Sequence, residues 1–191
     1  METETKAVGD GKVVEMSKGG RKIRRCELVL RFLGLALTLV AAIILGVDKE
    51  TKVVPITITS TLPPIDVPVT AKWHHMSAFV YFVVANAIAC THAALSLILC
   101  LVSKNGQKGM KLVIIFLDLM MVALLFSGNG AAAAIGVIGY NGNSHVRWNK
   151  VCNVFTKFCN HVAVSIVLSL LGSLSFLLVI LLIALSLPKH K

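Results

Sequence analysis

Apolar residues in this chain gather into four long blocks, not into short alternating or amphipathic runs. The blocks are 28–47, 76–102, 112–140 and 162–187; the first is interrupted by a single charge, Arg31, and the third by a single charge, Asp118. A helix rises 1.5 Å per residue, so about 20 apolar residues cross a hydrocarbon core roughly 30 Å thick. A surface helix of a soluble domain keeps a polar stripe, and these blocks have none. The pattern therefore predicts an all-α membrane protein, a bundle of four transmembrane helices within residues 26–188, preceded by a tail over 1–25. Block one is not expected to be a cleaved signal, because it starts late, runs long, and ends in Leu45-Gly46-Val47, a poor cleavage site.

The joining segments read differently. The Asp48–His75 loop carries Pro55, Pro63, Pro64 and Pro68, which excludes a helix. Pro55-Ile56-Thr57-Ile58-Thr59 alternates apolar and polar residues with β-branching, which predicts a short extended stretch, with a two-stranded β-ribbon as one form of it. Asn141-Gly142-Asn143-Ser144 reads as a turn.

Composition agrees with the blocks: 56% of residues are hydrophobic and 15% charged, against about 25% charged in soluble domains. The net charge of +10 does not point to nucleic acid, since the basic residues flank the apolar blocks, where they meet lipid head groups. Their distribution sets an orientation. The tail, the Ser103–Lys111 linker and the C-terminal residues carry twelve Lys and Arg, whereas the two long loops carry six over more residues, three of them offset by Asp48, Glu50 and Asp66. The positive-inside rule then puts both termini in the cytosol. The basic tail is read first as an orientation signal, disordered ahead of the membrane. The sharper alternative is a clamp for anionic lipid, with Cys26 as a palmitoylation site.

The two charges inside the blocks carry the most information. Counting from the cytosolic ends, Arg31 lies about 6 Å deep and Asp118 about 10 Å. A long Arg side chain spans that difference, so an intramembrane ion pair is expected. Arg31 alone could reach the head groups, but Asp118 is too short to do so and needs a partner, a proton or water. His92, about 15 Å in, offers the alternative, a proton or ion path with Asp118. Cys152 and Cys159 are the two cysteines in the loops assigned to the oxidising side, and a disulfide is expected between them. Seven residues of unbroken helix would hold them about 10 Å apart, so the bridge requires a break in the helix. His145 and His161 do not complete a zinc-ligand spacing with this pair, and no metal or other cofactor is expected. Gly128, Ala132 and Gly136 recur every four residues, as do Gly130 and Ala134, and Ser165, Ser169 and Ser173 do the same in block four. Such stripes let helices approach closely, either within one bundle or between two copies.

Taken together, the basic tail, the early Arg of block one, the early Asp of block three and the cysteine-bearing last loop resemble the plant Casparian strip membrane domain-like proteins, relatives of the tetraspan MARVEL proteins. The local matches are Glu50-Thr51-Lys52-Val53-Val54-Pro55 and Gly142-Asn143-Ser144-His145-Val146-Arg147-Trp148-Asn149-Lys150-Val151-Cys152, with Cys159 seven residues on; they point to the first subgroup of the branch. The resemblance implies a plasma-membrane protein that associates with itself and with related members, as homodimers or mixed oligomers. Strip-forming members carry a loop-one stretch of the Glu-Ser-Leu-Pro-Phe-Phe type. Here that region reads Thr61-Leu62-Pro63-Pro64-Ile65-Asp66-Val67-Pro68, a departure that leaves a general, non-enzymatic scaffold organising a membrane or cell-wall domain. Nothing in the sequence resembles a nucleophile–base pair or a phosphate loop. The alternative class is a small channel or transporter component built on Asp118 and His92.

Overall fold

A computed structural model describes residues 2–56, 65–102, 108–142, 145 and 150–186. The elements follow the chain as α1 (Glu2–Gly46), β1 (Lys49–Ile56), β2 (Ile65–Lys72), a short 3-10 turn at Trp73–His75, α2 (Ser77–Val102), α3 (Lys108–Asn141) and α4 (Thr156–Ser186). All four helices contain segments long and apolar enough to cross a membrane: Lys22–Gly46, Ser77–Val102, Leu112–Asn141 and Thr156–Ser186. The last begins six residues ahead of the expected 162, because Thr156–His161 continue the helix outward as its polar first turns.

Neighbouring helices pack as α1–α2, α2–α3, α3–α4 and α4–α1, which leaves α1 and α3 on one diagonal and α2 and α4 on the other. Small residues set the close approaches. A Cβ placed on Gly172 of α4 would lie 3.0 Å from Thr38 Cγ2 of α1, and one placed on Gly128 of α3 would lie 3.3 Å from Ala85 Cβ of α2. The core has two levels. Ala41, Leu45, Phe79, Phe82, Ala132 and Val162 pack at the end that carries the long loops, together with Phe155 and Phe158. Ala89, Ala93, Val122, Leu125 and Phe176 fill the end nearer the termini. Outside this interior the helices present exposed Leu, Val, Ile and Phe around the bundle, such as Phe32, Ile98, Phe116 and Leu181, as a lipid-facing surface requires.

The backbone of α1 is helical without a break from Glu2. No proline interrupts it, and a helix already nucleated in the span lengthens one hydrogen bond at a time. The two-stranded ribbon expected in the first loop is present, and it extends beyond the stretch read from Pro55 to Thr59. It pairs Lys49–Ile56 with Ile65–Lys72 antiparallel, with Lys49 opposite Lys72 and Ile56 opposite Ile65; Thr57-Ile58-Thr59 lies outside the described residues. Pro55 faces Asp66 and Pro68 faces Val53, two pairs apart and so of the same parity. One choice of alternation therefore turns both proline nitrogens away from the partner strand, which is how a two-stranded ribbon tolerates them.

Candidate functional site: a buried ion cluster and a loop-end clamp

The diagonal helices are joined at the centre of the bundle. Arg31 on α1 donates from Nη2 to Asp118 Oδ2 on α3 at 2.9 Å and from Nη1 to Asp118 Oδ1 at 3.2 Å. Nη1 also donates to Ser96 Oγ on α2 at 3.0 Å, and Nε donates to Glu27 Oε1, one turn back on α1, at 3.2 Å. Four of the five guanidinium N–H groups thus have acceptors, and the planar fork meets the carboxylate through two parallel bonds. His92 Nε2 on α2 lies 2.7 Å from Asp118 Oδ1. Arg31 is 1% exposed and Asp118 0%. The structure brings together the three residues that the sequence set out as alternatives, because Asp118 has room for Arg31 on both oxygens and for His92 on one.

The remaining members of the cluster left fainter traces in the sequence. Glu27 stands four residues before Arg31, a spacing that places the two on one helical face. Ser96 and Cys100 gave no local signal; Cys100 donates its thiol to Glu27 Oε1 at 3.5 Å, and its carbonyl accepts from Arg24 Nη2 at 3.0 Å. Arg24 belongs to the basic run ahead of the span. One of those basic residues is therefore tied to the end of α2.

At the opposite end the loops are fastened to the helices. Glu50 on β1 accepts from the backbone N–H of Phe158 in the first turn of α4 at 2.9 Å. The carboxylate satisfies a donor that a helix start leaves unpaired, at the positive end of the helix dipole. Asp48 Oδ1 lies 2.9 Å from His161 Nδ1 on the same helix. Neither contact was read from the sequence, where 113 residues separate Asp48 from His161. Cys152 and Cys159 form a disulfide with Cα atoms 5.6 Å apart. The geometry is reached because the chain turns at Cys152–Val154 and α4 starts only at Thr156. The Gly139 carbonyl accepts from the N–H groups of Val151 and Cys152 at 2.9 and 3.2 Å, docking this turn on the end of α3. Gly142 closes α3 with φ of 71° and its N–H on the Ile138 carbonyl, a left-handed terminus that favours glycine.

The small-residue stripes divide. Gly128, Ala132, Ser165, Ser169 and Ser173 are buried inside the single chain, and Gly136 packs against Val162. The buried ones pack within the bundle, and Gly136 is half-buried at the α3–α4 contact. Gly130 and Ala134 point outward instead, and nothing lies within 4 Å of a Cβ placed on Gly130. Asn129, beside Gly128, is buried with neither amide atom hydrogen-bonded, and Ser169 Oγ and Asn86 Oδ1 are likewise buried without partners. Cys26 is exposed at the terminal end of the first span.

Four spans, locked on the diagonal by a buried ion cluster and clamped at the loops by a carboxylate cap and a disulfide, define a multi-pass tetraspan membrane protein. The sequence model of the Casparian strip membrane protein domain matches residues 20–175, and the chain belongs to that family. It is 59% identical to CASP-like protein 1E2 of Vitis vinifera over the whole of both chains. It is 63% identical to CASP-like protein 1E1 of Glycine max over 81% of this chain and 82% of that one. With CASP-like protein 1E1 of Arabidopsis thaliana it shares 51% identity over 98% of this chain and all of the other. These relatives place it with the 1E members of the first subgroup, as the loop motifs implied. No solved structure matches the chain.

Proposed function

We propose that this protein is a non-enzymatic scaffold of the plant plasma membrane, with both termini cytosolic, that assembles with itself and with related members and organises a membrane or cell-wall domain. The observation that carries the reading is how the intramembrane charges are used. Arg31 and Asp118 are buried and bonded to each other, to Ser96 and to Glu27, so their polarity goes into holding helices together. A conducting path needs polar groups presented to water. The printed names of the relatives, CASP-like proteins, support a shared role at the membrane. The outward Gly130 and Ala134 supply a face on which a second copy could approach closely. Gly130→Leu with Ala134→Leu should abolish energy transfer between two differently tagged copies while leaving surface delivery intact. Undiminished transfer would remove this face from the proposal, and single-copy behaviour of the native chain in bilayers would remove self-association itself.

A second reading, a channel or transporter component, draws on His92, whose side chain is 12% exposed while it contacts Asp118. Purified protein in liposomes distinguishes the two: ion or proton flux lost on Asp118→Asn would replace the scaffold reading.

A further inference from the structure

A groove of about 500 Å³ runs between α3 and α4 at the loop end. Its walls are Ala133 and the stretch 135–141 of α3 and, on α4, Phe158, Val162, Ala163 and Ile166, with the disulfide closing the top. Polar atoms occur mainly near that top, on Tyr140, Asn141 and Asn160. The groove opens onto the lipid-facing surface, where Val137, Val164 and Val167 are exposed. It is continuous with the interface this protein makes with the bilayer.

We infer that the groove is a phospholipid site, holding one acyl chain with the phosphate at the loop end beside Lys150 and Lys157. Three observations select this occupant. The first is length. Nine residues of α3 cover about 12 Å, whereas a helix from a second copy would lie along the full core of about 30 Å. The second is the polarity gradient, apolar at depth and polar at the mouth, which matches a lipid chain under its head group. The third is charge. Lys150 and Lys157 are the chain neighbours of the lining residues Val151 and Phe158, and both are exposed. The two carboxylates at the start of α4, Glu50 and Asp48, are already engaged by the Phe158 N–H and by His161, which leaves Lys150 and Lys157 as the exposed charges beside the mouth. A phosphate complements that surface. The inference is independent of the scaffold reading, since a channel component could hold the same lipid.

The test uses the full chain in phosphatidylcholine nanodiscs containing a small fraction of phosphatidylglycerol with a diazirine on its acyl chain. Label should concentrate on peptides covering 133–141 and 158–167. Ala163 is exposed along the groove, so Ala163→Phe should fill it and cut that label about tenfold, the equivalent of 1.4 kcal/mol. Ala163→Ser should not. Lys150→Ala with Lys157→Ala should reduce labelling to the level given by a diacylglycerol bearing the same diazirine chain, which lacks the phosphate. Should Ala163→Phe fail to fold, this exposed-residue double variant carries the test alone. Label spread evenly over the lipid-facing residues of all four helices would overturn the site, as would equal labelling by the two lipids in the native chain. A photoreactive residue at Val137 that crosslinks to a second copy instead of lipid would overturn it too.

Discussion

Removing one member of the diagonal pair should cost more than removing both, and the two single losses should be unequal. Breaking a buried ion pair by deleting one partner costs about 3–5 kcal/mol. Arg31→Leu leaves Asp118 fully buried with His92 at 2.7 Å as its remaining polar contact, so a loss near the top of that range is expected, about 4–5 kcal/mol. Asp118→Asn leaves Arg31 its bonds to Glu27 and Ser96, and the amide oxygen can still accept one bond from the guanidinium. What disappears is one charge-assisted bond and the charge itself, about 2–3 kcal/mol. Arg31→Leu with Asp118→Asn should recover part of the sum, short of full recovery because Glu27 and His92 then lose their bonded partners. Stability is read from unfolding of purified protein in mild detergent, with surface delivery as a second readout. The coupling energy from the four proteins should exceed about 1 kcal/mol, in the range seen for residues in contact. Losses that add within about 0.5 kcal/mol would refute the claim that the pair holds the diagonal, as would an Asp118→Asn loss larger than that of Arg31→Leu.

Four further outcomes are expected. A protease tag at either terminus should survive treatment of intact cells while one placed at Gly142 is cut; a cleavable N-terminal tag would reverse the assigned orientation. A non-permeant thiol reagent should modify Cys152 and Cys159 only after reduction, and labelling beforehand would show free thiols. Gly172→Leu places a side chain where even a Cβ meets Thr38 Cγ2 at 3.0 Å, so it should lower stability by about 1–3 kcal/mol, and an unchanged unfolding midpoint would contradict the close α1–α4 approach. Asn129→Leu removes two buried, unbonded amide atoms and should be neutral or stabilising by about 1 kcal/mol; a clear loss would reveal a partner for that amide.

The spans were legible because bilayer thickness fixes a length that the residues must meet, whatever their detailed packing. Arg31 and Asp118 could be paired from sequence because both depths follow from the same rise per residue. His92 was placed as a rival to Arg31, since counting along an axis ignores how far a side chain reaches back. What the sequence could not supply were contacts whose partners lie far apart and whose residue types are ordinary. Ser96 is one serine among several in the spans, and Glu50 resembles any loop carboxylate until α4 is seen to start in front of it. The break that lets Cys152 meet Cys159 was stated only as a condition, because local propensity does not fix where α4 begins. The stripe at Gly128, Ala132 and Gly136 was ambiguous for a related reason: small residues announce a close approach without saying from which chain.

The diagonal placement of the ion pair also bears on how the protein is made. Arg31 leaves the ribosome 87 residues ahead of Asp118, and at roughly 5–20 residues per second that gap lasts about 4–17 s. During this interval the first span must reside in or beside the translocon with a cation whose cost rises toward about 2.5–3.5 kcal/mol at the helix centre and is smaller at the depth of Arg31. Glu27, one turn away on the same helix, is available from the outset and lends the arginine a counter-charge before any other helix has emerged. The third span then arrives with an aspartate for which the arginine, and His92 on the second span, are already in place. Its insertion completes the diagonal pair before α4 has emerged, so a nascent chain halted before residue 118 would be held by the membrane yet lack the bond that joins α1 to α3.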